Sequence, residues 1–135
     1  MPVLLEGFEK FTGTRQHNAP MVSIKPNGIL GLNAAASRQF KLAAYNWAVL
    51  HYNRAGRQVA IELTYVHEPG ALRLTHRKDK VGADISAKSF CDFYGLLSQR
   101  TQQLTPELRN ADPVILILDL NQAREQEMEP GEGGI

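Results

Sequence analysis

The chain has 135 residues, is 43% hydrophobic and 21% charged, and sets fifteen Lys and Arg against fourteen Asp and Glu for a formal charge of +1. That size fits one domain with one core, and near-neutrality excludes a partner chosen by bulk charge alone. The single cysteine, Cys91, excludes an internal disulfide and points to a reducing, cytoplasmic setting, while the longest aliphatic run, Val114–Leu118, is far short of the ~20 residues of a membrane helix.

In chain order, MPVLLEGFEKF offers apolar anchors at Val3, Leu4, Leu5, Phe8 and Phe11, and TGTRQHNAP follows as a connector rich in turn formers, so residues 1–20 read as an arm and connector. Met21–Lys25 and Ile29–Leu32 flank Pro26, Asn27 and Gly28. An Asn-Gly pair supplies positive φ cheaply, which predicts a hairpin. Asn33 is placed to cap a short helix running through Leu42, with Ala34, Ala35 and Ala36 as strong helix formers and Phe40 turned to the core. NWAVLHY, apolar on both faces, reads as a central strand. Arg57–Val66 then alternates: Val59, Ile61, Leu63 and Tyr65 on one face, Gln58, Ala60, Glu62 and Thr64 on the other.

After HEPG, Ala71–His76 reads as a strand, RKDK as a turn and Val81–Ile85 as a returning strand. Ser86 is the expected cap of a helix from Ala87 to about Gln99, in which Phe90, Phe93, Tyr94 and Leu97 recur at helical spacing. Val114–Leu118, between Pro113 and Asp119, is a late strand, expected either at a sheet edge or given to a second subunit. Exposing such a run invites aggregation, so a homodimer is predicted. Asn121–Ile135 has one arginine against four glutamates and reads as an acidic flexible tail.

These elements predict an α+β fold over residues 21–120, an antiparallel sheet with two short helices on one face. Leu32/Ile85, Asn33/Ser86, Ala34/Ala87 and Phe40/Phe93 match at one constant offset, as either a duplicated hairpin-plus-helix unit or a chance recurrence of a small stable motif would give.

The chemistry points away from catalysis. His17, His51, His67 and His76 are scattered without metal-site spacing. Cys91 follows Phe90 in an amphipathic stretch, where a cysteine is usually a small buried side chain. There is no GxSxG turn, no phosphate-binding loop and no close carboxylate pair, so a non-enzymatic protein without cofactor or metal is expected. The one functional cluster is basic: Arg54, Arg57, Arg73, Arg77, Lys78, Lys80 and Lys88 stand against Glu62, Glu68, Asp79 and Asp84. Such bases could neutralise phosphates while Trp47, Tyr52 or Tyr65 stack on unpaired bases. This predicts a nucleic-acid-binding module for single-stranded DNA, in transcription or DNA maintenance.

Two family resemblances bear on this. The four strands and helix from Asn46 to Gln99, with the basic turn Arg77–Lys80 and the ISAKSF junction, resemble the core of the positive-cofactor-four type of transcriptional coactivators and their Whirly relatives. That resemblance implies single-stranded DNA bound across a curved antiparallel sheet by Arg57, Arg73, Arg77, Lys78 and Lys80, with dimerisation through helices carrying Phe90 and Phe93. Met21–Leu63 is similar to the swapped-hairpin domains of AbrB/MazE-type regulators, which grip duplex DNA as interlocked dimers. There Lys25, Arg38 and Lys41 would be the bases, although AAYN replaces the GD-type turn that follows the helix in that family. A third class, a protein-interaction or assembly module without nucleic acid, would use the acidic tail as its docking peptide.

Overall fold

A computed structural model describes residues 19–78 and 81–125. Strands β1 (Val22–Ile24) and β2 (Ile29–Leu32) form the expected hairpin, with Val22 opposite Leu32 and Ile24 opposite Leu30. Gly28 has φ +87°, and a Cβ there would lie 2.5 Å from the Lys88 Cα. The turn therefore needs glycine twice over, for its backbone angle and for the close approach of a later helix.

Helix α1 (Ala34–Gln39) starts where its capping residue predicts. The Asn33 Oδ1 accepts hydrogen bonds from the Ala36 amide at 2.9 Å and the Met21 amide at 3.0 Å, tying the helix start to the strand before it. The helix does not run through Leu42. Lys41 takes a left-handed conformation (φ 55°) and a 3₁₀ turn, Leu42–Ala44, follows. Phe40 and Leu42 are both core residues, and two positions apart in one helix they would point about 200° apart. Breaking the helix at Lys41 lets both turn inward.

Strands β3 (Trp47–Asn53) and β4 (Gln58–Thr64) pair along their whole length. In β4 the alternation holds for Val59, Ile61 and Leu63, all buried, whereas Tyr65 lies past the strand end and is exposed. β5 (Leu72–His76) and β6 (Ala83–Ser86) make a second hairpin, and β6 lies against β2. Helix α2 (Lys88–Tyr94) follows. β7 (Gln102–Leu104), β8 (Glu107–Ala111), β9 (Val114–Asp119) and β10 (Arg124–Glu125) complete one ten-stranded sheet in the order β10-β7-β1-β2-β6-β5-β3-β4-β9-β8. Every neighbouring pair is antiparallel.

The sheet is strongly bent. Only five positions separate Asp119, paired to β4, from Arg124, paired to β7 far along the strand order. This half-barrel encloses a single core in which Val22, Leu32, Ala36, Phe40, Leu63, Leu74, Ile85, Cys91 and Leu116 all take part. The fold is thus α+β and dominated by its sheet.

Several expectations need correction. Ser86 does not cap α2: it is the last residue of β6, opposite Ile29, and the cap position is Ala87, without a side-chain bond. α2 ends at Gly95, whose left-handed backbone (φ 65°) closes the helix well before Gln99. Its buried residue is Cys91, and Phe93 is 73% exposed, whereas its offset partner Phe40 is 6% exposed. The constant offset therefore joins residues in unlike environments, because the second helix starts one position later than the first. The aliphatic run in β9 is not at an edge: β4 covers one side and β8 the other within the same chain. The expected tail begins with ordered residues, in the 3₁₀ turn Leu120–Gln122 and in β10. Residues 1–18 and 126–135, which hold most of the expected arm and tail, lie outside the described residues. No helix among the described residues is long and apolar enough to cross a membrane.

Candidate nucleic-acid interface

Strand alternation decides which bases meet. Ala48 points into the core, so Trp47 beside it points to the sheet's outer face, and the register sets Trp47 opposite Arg73 of β5 and Thr64 of β4. The Arg73 guanidinium lies 5.0 Å from the Trp47 ring centroid, and the His67 ring is 4.4 Å away at a tilt of 48°. An exposed guanidinium on an indole face contributes ~0.5–1 kcal/mol. Its more useful effect is to hold a cation beside a half-buried aromatic ring.

Further along the same face, Asp84 lies opposite both Gly31 and Thr75. Arg77 reaches back to Asp84 in a two-point pair, Nη2 to Oδ1 at 2.7 Å and Nε to Oδ2 at 3.2 Å. A Cβ on Gly31 would meet Arg77 Nη2 at 3.0 Å and Lys25 Cε at 3.7 Å. Arg77 and Lys25 therefore converge over the bare backbone of β2, and the buried state of Gly31 reflects that cover. Lys78, next after Arg77, is exposed.

The seven expected bases do not form one cluster. Arg73 is on the outer face of β5, Arg77 directly follows that strand with the same parity, and Lys78 adjoins it. Arg54 and Arg57 lie in the turn after β3, roughly 20 Å along that strand from Trp47. Arg54 instead covers the Tyr94 ring at 4.9 Å, within an aromatic group of Tyr52, Phe90 and Phe93. Lys88 is on α2, its Nζ 2.6 Å from Asp92. Lys80 lies outside the described residues. Of the bases implied by the swapped-hairpin resemblance, Lys25 adjoins the β1–β2 turn, at the opposite end of that hairpin from Arg38 and Lys41.

Compared with known proteins, the chain matches no family model, no curated protein and no solved structure. In the sequence Lys25 falls among the swapped-hairpin bases, and His67 and His76 lie only near the basic cluster, without a role in it. The parity of β1, with Val22 and Ile24 inside, was the signal that could have put Lys25 outside. On the same outer face, beyond Val49, the His51 Nε2 lies 2.9 Å from the Glu62 carboxylate, which bounds the basic area on that side.

No group of three or more His, Cys, Asp and Glu able to hold a metal occurs among the described residues. Burial, then the charge of Asp92, pushes the Cys91 thiol up to about 11, so it stays protonated at neutral pH and is a poor nucleophile.

Proposed function

We propose that the protein is a non-enzymatic module that binds single-stranded nucleic acid, foremost single-stranded DNA, on the outer face of β2, β6, β5 and β3. The observation that carries this reading is Arg73 resting on Trp47, with Arg77, Lys25 and Lys78 on or beside the same face and Asp84 the carboxylate among them. An unpaired base has a free π-face that an indole can stack, at ~1–3 kcal/mol per base, while the cations track the phosphates. Duplex recognition usually sends a helix or a two-stranded ribbon into a groove. The two described α-helices have six and seven residues, and Arg38 and Lys88 are their only bases.

In this reading both helices lie on the core side, leaving the outer face free, and the protein works in transcription or DNA maintenance in the cytoplasm. A homodimer belongs to the proposal, with the exposed Phe93 of α2 as its apolar contact. The same residue supports the second reading, a protein-interaction module. Beside α2, Leu50, Leu72 and Phe90 line a cleft of about 300 Å3.

Fluorescence anisotropy with a labelled 20-nucleotide strand and its duplex, across a salt series, tests the proposal. Tighter binding of the single strand, falling linearly in log salt and weakened by Trp47→Ala, is the expected result. Duplex preference would favour the swapped-hairpin reading. No binding of either at low salt would leave the protein-interaction reading in front.

A further inference from the structure

A second cavity opens at the end of the sheet next to Trp47. It has a volume of about 330 Å3, and Phe40, Leu108, Val114 and the Tyr45 ring form apolar walls while Gln39, Lys41, Tyr65 and Asp112 supply polar groups. Tyr45 precedes Trp47 by two residues, and Tyr65 follows Thr64, the cross-strand partner of Trp47. The cavity therefore opens on the core side of the sheet, at the same end of β3 and β4 as Trp47.

Its walls are held in place. The Tyr45 hydroxyl accepts a hydrogen bond from the Val114 amide at 3.1 Å, and its carbonyl is 2.7 Å from His76 Nε2. The Tyr65 ring stacks on Tyr45 at 4.6 Å, with 23° between the planes. The Tyr65 hydroxyl has one proton to share between two acceptors, Asp112 Oδ1 at 2.7 Å and the Tyr45 hydroxyl at 3.4 Å. The carboxylate keeps its second oxygen and its remaining lone pairs as acceptors. Tyr65 is 54% exposed despite these contacts, so part of the ring is open to a ligand.

The lining narrows the ligand class. An ammonium group would suit Asp112 but meets the Lys41 charge at the same cavity, and the two stacked tyrosines do not present the crossed faces of a cation cage. A simple anion suits Lys41 but is repelled by Asp112. A neutral planar ring that donates N–H groups on one edge and carries an adjacent carbonyl oxygen satisfies both.

We propose that this cavity takes one nucleobase of the guanine type, its N–H pair on the Asp112 carboxylate, its carbonyl oxygen toward Lys41 and its ring on Tyr65. The inference rests on the nucleic-acid reading for the strand that delivers the base, but the pocket is testable without a strand. Hydrogen bonding to Tyr45 and then to Asp112 raises the Tyr65 phenol above its ordinary range, so the donor that orients Asp112 persists at neutral pH.

The experiment compares anisotropy binding of a labelled ten-residue oligo-dT with versions carrying one central dG, dA or dC. A preference for dG of roughly tenfold is expected, as for a good paired contact to a base edge. Asp112→Asn should abolish that preference, so that dG, dA, dC and oligo-dT probes bind the variant alike. Equal affinity for all four probes, or a dG preference that survives Asp112→Asn, would overturn the proposal. If no oligonucleotide binds, the interface reading has failed, and titration with free guanosine monophosphate decides for the pocket. Shifts of the Tyr65 ring resonances with guanosine monophosphate, lost in Asp112→Asn, would sustain it. Shifts with free phenylalanine but not with guanosine monophosphate would assign the cavity to a zwitterion and overturn it.

Discussion

Arg77 and Asp84 meet at 2.7 Å across the β5–β6 hairpin, and Gly31 on the neighbouring strand provides the floor on which they lie. Both side chains are about one third exposed, so solvent screens the pair and it contributes at most ~1 kcal/mol. Its larger effect is on the local field, since Asp84 is a carboxylate amid Lys25, Arg73 and Arg77.

Asp84→Asn should therefore lower stability by less than ~1 kcal/mol in urea unfolding while tightening single-strand binding at low salt. A loss of affinity would mean that Asp84 matters by positioning Arg77, not by opposing it.

Two glycines of one hairpin should respond differently to alanine. At Gly28 the new Cβ meets the Lys88 backbone at 2.5 Å and the φ of +87° is strained for an L side chain, so Gly28→Ala should cost ~2 kcal/mol or more. At Gly31 the nearest atom is the far end of the Arg77 side chain at 3.0 Å, which can swing aside, so Gly31→Ala should stay within ~1 kcal/mol. Urea midpoints of the two variants check the order.

The separation of the bases predicts separate salt effects. Arg73→Ala should weaken single-strand binding and reduce the slope of log affinity against log salt by about 1. Arg57→Ala, at the turn roughly 20 Å along β3 from Trp47, should leave slope and affinity near those of the unaltered protein. Equal losses from the two variants would redraw the interface around the β3–β4 turn.

The raised Tyr65 phenol sets a pH dependence. Its folded pKa lies above the ordinary 10.0, so its stabilising contribution is fully present below that pH and is lost as the pH rises through the folded value. Ultraviolet titration should show a tyrosine ionising later than free tyrosine, and Tyr65→Phe should remove that late step.

What the sequence could show depended on how local the signal was. Asn27-Gly28, the Asn33 cap and the alternation of Val59, Ile61 and Leu63 are set by neighbours in the chain, and each takes its expected place. β7, β8 and β10 carry polar sequences such as QQL and ELRNA. They are strands because β1, β9 and in turn β7 offer open edges, which no local pattern reveals. α2 misled for a related reason: Phe90, Phe93 and Tyr94 have helical spacing, but the helix is seated by Cys91 and closed by Gly95, leaving Phe93 outside. For the site, the bases were visible but their grouping was not. Arg73 meets Trp47 only through a pairing between strands 26 positions apart, and the same pairings carry Arg57 away from both.

The short passage from β9 through Leu120–Gln122 to β10 has a consequence for how the chain reaches this shape. Val114, Leu116 and Leu118 fill the core beside β4, and Arg124 then closes on β7, so one late segment engages two distant parts of the sheet. A chain emerging from the ribosome has no such segment until residue 125 is released. Until β9 is released the β4 edge is unpaired and part of the core is empty, and β7 gains its second partner only with residues 124 and 125. Folding should thus be completed after synthesis of the strands, in a step limited by the search for long-range pairings, and truncation before Val114 should yield a chain that collapses without acquiring a cooperative unfolding transition.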